Sequence, residues 1–195
     1  MNTQETLSVP FKYVDSIEHK QHILLLYEDP AYARLIEFRF IKNGLAYGET
    51  CVYVTHEDSG SIVLKFLDYG MPLQYFQSGK LRIIQMHETC HTGEAMLERS
   101  KKDVKEILEG LIPPYRIVGR IIPNISTIDG ISVQLELEKQ THSCFEEFRG
   151  SVMCTYDISK IEKTRRKSWM EGLRQTHHTV ILATKFGMGG VLCPR

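Results

Sequence analysis

The sequence predicts an α/β protein with a mostly parallel sheet. Three observations carry that expectation. Short apolar runs alternate with amphipathic stretches along the whole chain, as βαβ units require. Several runs are apolar at successive positions, the pattern of strands buried on both faces. Helix caps and glycine or proline stops stand between the segments.

The first strand is His22 to Tyr27, His-Ile-Leu-Leu-Leu-Tyr. Asp29 offers an N-cap carboxylate, and Pro30 suits the first helical position, where its missing N–H is no loss. Leu35, Ile36, Phe40 and Ile41 form the apolar stripe of that helix, with Gly44 as its expected stop. Thr50 to Thr55 is the second strand, and Ser61 to Leu67 a helix stopped by Gly70 and Pro72. Leu81 to Met86 is the third strand. Glu94 to Leu111 is a helix that turns Leu97, Val104, Ile107, Leu108 and Leu111 inward.

Pro113 and Pro114 precede a fourth strand, Arg116 to Ile122. Asp129 is expected to cap a helix reaching about Phe148. Ser151 to Tyr156 is the fifth strand. Ser159 and Glu162 read as a capping box opening a helix to about Thr176. Thr179 to Thr184 is the sixth strand. No repeat or long linker divides the chain, so 1–195 is expected to be a single domain with its core at about 18–185.

Composition narrows the function classes. The 195 residues carry 24 Lys plus Arg against 24 Asp plus Glu, a net charge of zero. That balance argues against a nucleic-acid partner, which favours a basic surplus. Hydrophobic residues at 42% and charged residues at 25% are ordinary globular usage, so folding needs no metal or disulfide. The five cysteines are odd in number and include no C-x-x-C pair, so reduced thiols are expected. No apolar run approaches the ~18 residues of a membrane span, and the first ten residues show no signal sequence. A cytoplasmic location without membrane contact is expected.

In an open α/β sheet, ligands bind beyond the carboxyl ends of the strands. The residues there are Tyr27, Glu28 and Asp29; His56, Glu57 and Asp58; His87 and Glu88; Pro123 and Asn124; Tyr156 and Asp157. Strand ends meet water and so become polar, which is the plain reading of any one of them. Their convergence on one edge points to a ligand site. Glu57, just beyond a second strand expected near the middle of the sheet, and Tyr156, at the end of a fifth strand expected to be buried, are expected to border one crevice. The first strand–helix turn, Tyr27-Glu28-Asp29-Pro30, has no glycine to wrap a phosphate and no lysine to neutralise it. Two carboxylates there would repel a triphosphate, and Pro30 removes a donor. ATP binding is therefore not expected.

At this point the residues resemble a family. His22-Ile-Leu-Leu-Leu-Tyr-Glu-Asp29, the helix ending Phe40-Ile-Lys-Asn-Gly-Leu45, and Gly48-Glu-Thr-Cys-Val-Tyr-Val-Thr-His-Glu-Asp58 are similar to the MEDS domain, the sensory domain of methanogens and methylotrophs. Met153-Cys-Thr-Tyr-Asp157, followed by a helix and His177 or His178, is similar to its second signature. The resemblance implies a RecA-like three-layer α/β/α sandwich related to the KaiC ATPases, with a degenerate phosphate loop. In the KaiC pattern paired acids after strand two activate water, and Glu57 and Asp58 take that place. Arg120 to Asn124 lacks the metal-holding aspartate of those ATPases.

The resemblance further implies a non-catalytic sensor of a small organic molecule. Its candidate ligand-binding residues are Tyr27, Glu28, Asp29, His56, Glu57, Asp58, His87, Tyr156, Asp157 and His177. No output module is legible, so the signal is expected to pass to a separate kinase or transcription regulator, or through a second copy of the chain. The alternative is a divergent ATPase or hydrolase with Glu57 as general base. No cofactor and no metal are expected. A zinc site would need His87, Cys90 and His91 with His142 and Cys144, a pair expected inside a helix. Cys154 reads as a small core residue. The basic run Lys160 to Lys167 beside Trp169 reads as a solvated helix face that a partner protein could also dock against.

Overall fold

The computed structural model describes residues 8–87 and 92–193. Strands β1 (His22–Tyr27), β2 (Thr50–Thr55), β3 (Leu81–Gln85), β4 (Tyr115–Val118), β5 (Gly150–Asp157), β6 (Thr179–Ala183) and β7 (Gly189–Leu192) form one sheet in the order β3-β2-β4-β5-β1-β6-β7. All neighbours pair in parallel except β6 and β7. The helices are α1 (Val9–Asp15), α2 (Pro30–Ala46), α3 (Ser59–Asp68), α4 (Gln74–Gln77), α5 (Gly93–Leu108), α6 (Ile128–Ser143) and α7 (Arg166–Gln175). The α/β expectation holds.

Two apolar layers sandwich the sheet. On one face α1, α2 and α3 set Val14, Ile36, Phe40, Ile62 and Phe66 against Ile23, Leu25, Cys51 and Tyr53. On the other, α5, α6 and α7 set Ile107, Ile131, Leu135 and Leu173 against Leu24, Val52, Cys154 and Tyr156. Each fully buried Ile or Phe contributes about 1.5–3 kcal/mol. The helices after β1 and β2 lie on the first face and those after β3, β4 and β5 on the second. The faces therefore switch between β3 and β2, between β2 and β4, and again between β5 and β1. A crevice opens at such points, beyond the carboxyl ends of the strands.

Asp29 caps α2 as expected, and its Oδ1 accepts from the N–H groups of Ala31 and Tyr32 at 3.0 and 3.1 Å. Several local expectations need correction. Gly44 does not stop α2 but lies within it, because Arg116 fills the space where a Cβ would stand, 2.6 Å from its Cδ. Thr127, not Asp129, caps α6, its Oγ1 accepting from Gly130 N–H at 3.1 Å, and α6 ends at Ser143. Gly119, at φ 129°, ends β4 four residues early, and its Cβ would meet the Val54 carbonyl.

The Ser159–Glu162 capping box does not form. Asp157 caps a short 3-10 turn (Ile158–Lys160), and Glu162 accepts from the N–H groups of Thr164 and Arg165 before α7 begins. The second strand is not central but lies next to the edge strand β3. Helix α1 and strand β7 were not expected; short polar or glycine-rich segments carry little periodic signal.

Candidate functional site

A crevice of about 500 Å³ opens at the carboxyl ends of β1, β2, β4 and β5. Tyr27, His56, Glu57 and His87, all expected there, line it. Arg34 and Glu37 from α2, with Tyr53, Arg120, Thr155 and Lys160, add to the wall.

His56 is the unusual member. Both of its ring nitrogens are buried, and neither finds a hydrogen-bond partner among the described residues. Burial, with the nearby charge of Arg120, depresses its pKa to about 4, so the ring is neutral. A neutral imidazole offers one donor and one acceptor; in His56 both are covered, beside the backbone of Met86 and Arg120, and a ligand must displace that cover to reach them. Arg34 likewise has a buried Nη1 without a partner, while its Nη2 bonds Glu57.

The acids of the crevice are not equivalent. Burial raises the Glu57 carboxyl, but hydrogen bonds from Arg34 and Lys65 outweigh that and hold its pKa below the usual range. It is a paired anion and so a weak base. Glu37 is enclosed, accepts from the Tyr53 hydroxyl, and burial lifts its pKa to about 7. Burial likewise pushes Tyr27 to about 12. Arg120 is a frame rather than a free cation: it donates to the carbonyls of Ile122, Thr155 and Pro123 at 3.0, 3.2 and 3.0 Å.

The other expected site residues do not share the crevice. Glu28 is exposed outside its lining. Asp29 and Asp58 are spent on helix caps, Asp58 accepting from Ser61 N–H at 2.8 Å. Asp157 caps its own turn through Ser159 at 2.9 Å. Tyr156 is fully buried on the opposite face, where its hydroxyl donates to Glu138 of α6. The expectation that Glu57 and Tyr156 share a site is therefore wrong. His177 lies far from the crevice edge, buried before β6 in a polar cluster with His22, Glu138 and Cys154. Glu88, Cys90 and His91, weighed as rim or zinc ligands, lie outside the described residues. A second cavity of about 80 Å³ lies between α5, α6 and the sheet, with Glu138 and Cys154 among its lining.

The turn after β1 has no open phosphate donors. Pro30 lacks an N–H, Ala31 and Tyr32 donate to the Asp29 carboxylate, and Ala33 donates to the Asp29 carbonyl at 2.9 Å. A helix N-terminus binds anions through N–H groups left free, and here each has a partner.

A RecA-like α/β sandwich with a closed phosphate turn and a polar crevice at its strand ends is thus the class of protein. Residues 21–178 match the MEDS family, described as the methanogen/methylotroph, DcmR sensory domain, and the chain belongs to that family. The fold is similar to that of a KaiC-like protein from the archaeon Pyrococcus horikoshii OT3, at 19% identity and TM-score 0.57, covering 90% of this chain and 78% of that one. It is also similar to the flagellar accessory protein FlaH from Methanocaldococcus jannaschii, at 12% identity and TM-score 0.59, covering 84% of this chain and 71% of that one. No curated protein matches the chain. No helix among the described residues is long and apolar enough to cross a membrane.

Proposed function

We propose that this chain senses a small polar organic molecule held in the strand-end crevice, without turning it over. His56, a buried neutral imidazole with both nitrogens unpartnered at the crevice wall, is the observation that carries this reading. A ligand with a hydroxyl or carboxyl group that displaces their cover would bond His56 and the unpartnered Nη1 of Arg34. Binding would shift the loop after β2, and a separate kinase or transcription regulator, or a second copy of the chain, would read the difference between the two loop states. Membership of a sensory family supports the class of activity.

The alternative is a divergent ATPase with Glu57 as general base, and the fold favours it. Against it stand the pairing of Glu57 with two cations and the absence of free donors in the β1–α2 turn.

A thermal-shift panel of short-chain acids and alcohols tests the proposal. At least one compound should raise the melting temperature of the wild type and not of His56→Gln. A shift that survives in His56→Gln would place the ligand elsewhere.

A further inference from the structure

Beneath α6, four side chains from four segments converge in the dry interior. They are His22 at the start of β1, Cys154 in β5, Glu138 in α6 and His177 between α7 and β6. All are buried, and their four donor atoms lie within 4.8 Å of one another.

The carboxylate oxygens have different duties. Oε1 accepts from the Tyr156 hydroxyl and from Gln134 Nε2, the latter at 2.9 Å. Oε2 faces His22 Nε2 at 3.2 Å, Cys154 Sγ at 3.2 Å and His177 Nε2 at 3.5 Å. Cys154 Sγ is 3.5 Å from His22 Nε2. Around tetrahedral zinc, bonds of about 2.0–2.3 Å put neighbouring ligand atoms roughly 3.3–3.6 Å apart. Four of the six separations thus lie near the edges of that tetrahedron, and the two from His177 Nε2 to His22 and Cys154 are within 4.8 Å.

His177 makes the case against a plain hydrogen-bond network. Its Nδ1 is 2.6 Å from the Leu173 carbonyl, which has no proton to give, and 3.1 Å from the Thr176 hydroxyl, which itself donates to that carbonyl, so Nδ1 carries the hydrogen. In the neutral ring Nε2 is then a bare lone pair aimed at a carboxylate, and it has no hydrogen-bond partner among the described residues. With the ring neutral, two acceptors face each other, and only a proton or a metal cation between them would attract both. A cation there resolves the conflict, and an imidazole whose other nitrogen donates to a carbonyl is the usual second-shell arrangement of a metal-bound histidine.

We propose that His22 Nε2, Glu138 Oε2, Cys154 Sγ and His177 Nε2 form a buried tetrahedral site for zinc. The Cys154 thiol loses its proton to solvent as the ion binds. Thiolate and carboxylate then balance the two charges of Zn²⁺, so the interior gains no net charge. Two nitrogens, one sulfur and one oxygen with no open position suit a structural zinc, which ties α6 to β1, β5 and the start of β6. The site is independent of the crevice and of what binds there.

The untagged full chain, exposed to excess Zn²⁺ and desalted, should retain about one zinc per chain by elemental analysis. Co²⁺ in its place should give thiolate-to-cobalt charge-transfer absorption. Cys154→Ser should lose that band and Cys144→Ser should keep it. A wild type that retains less than about a tenth of an equivalent and shows no cobalt band overturns the proposal. So does a band that persists in Cys154→Ser. Should Cys154→Ser fail to fold by circular dichroism, His177→Gln replaces it, and the wild-type stoichiometry and cobalt spectrum still decide the matter.

Discussion

Glu57 and Tyr156 stand on opposite faces of the sheet: Glu57 pairs with Arg34 of α2 and Lys65 of α3, and Tyr156 donates to Glu138 of α6. The two residues therefore answer different questions. Tyr156→Phe removes a donor from a buried carboxylate, which costs about 1–3 kcal/mol. Urea unfolding should show that loss, while ligand-induced thermal shifts stay at wild-type size. A Tyr156→Phe variant of full stability that no longer responds to ligand would contradict the assignment.

Asp29 is expected to be a cap and nothing more. Asp29→Ala should destabilise the chain by about 1 kcal/mol, the ordinary effect of losing an N-cap. The ligand response in the crevice should persist, since Asp29 does not line it. Loss of the response at unchanged stability would return Asp29 to the site.

Gly44→Ala tests the packing beneath α2. Alanine favours a helix interior by up to about 1 kcal/mol over glycine. Here the new Cβ meets Arg116, which the Glu49 carboxylate and the Phe40 carbonyl hold in place. Overpacking of that kind costs about 1–3 kcal/mol, so net destabilisation is expected in chemical denaturation. A stabilised variant would mean that Arg116 moves freely.

Glu37 sets a pH dependence. Burial raises its folded pKa from 4.5 to about 7. Between those values the unfolded chain releases the proton while the folded chain keeps it. Its contribution to stability is thus full below about pH 4.5 and falls as pH rises through 7. Glu37→Gln should flatten that fall in unfolding free energy measured from pH 4.5 to 7.5. Parallel profiles for the two proteins would mean that the Glu37 carboxyl is not protonated in the fold.

Much of this was legible in the sequence, and the rest was not, for physical reasons. The strand His22 to Tyr27 and the Asp29-Pro30 helix start are local signals, and both appear as read. The crevice members Tyr27, His56, Glu57 and His87 follow from their place just past strands. The face on which Tyr156 points depends on register against distant strands, and strand ends alone do not reveal it. Asp157 and Asp58 carry the same carboxylate as a binding residue, and only the nearby N–H groups show that they are caps. Glu37 was hidden because a helix can turn a charged residue toward a crevice without disturbing its apolar stripe. For the buried cluster a faint signal existed: Gln134 and Glu138 interrupt the inward run of Ile131, Leu135 and Leu137. A carboxylate on a buried helical face needs partners, and His22 and Cys154 were read only as strand residues.

Titration calorimetry with Mg·ATP, beside short-chain organic acids and alcohols, bears most directly on the sensory reading. The expected result is no saturable heat with Mg·ATP up to about 1 mM, a limit near −4 kcal/mol. At least one organic compound should give a saturable isotherm that His56→Gln abolishes. A micromolar Mg·ATP isotherm, or an organic isotherm unchanged in His56→Gln, would contradict the reading of this crevice as the sensor.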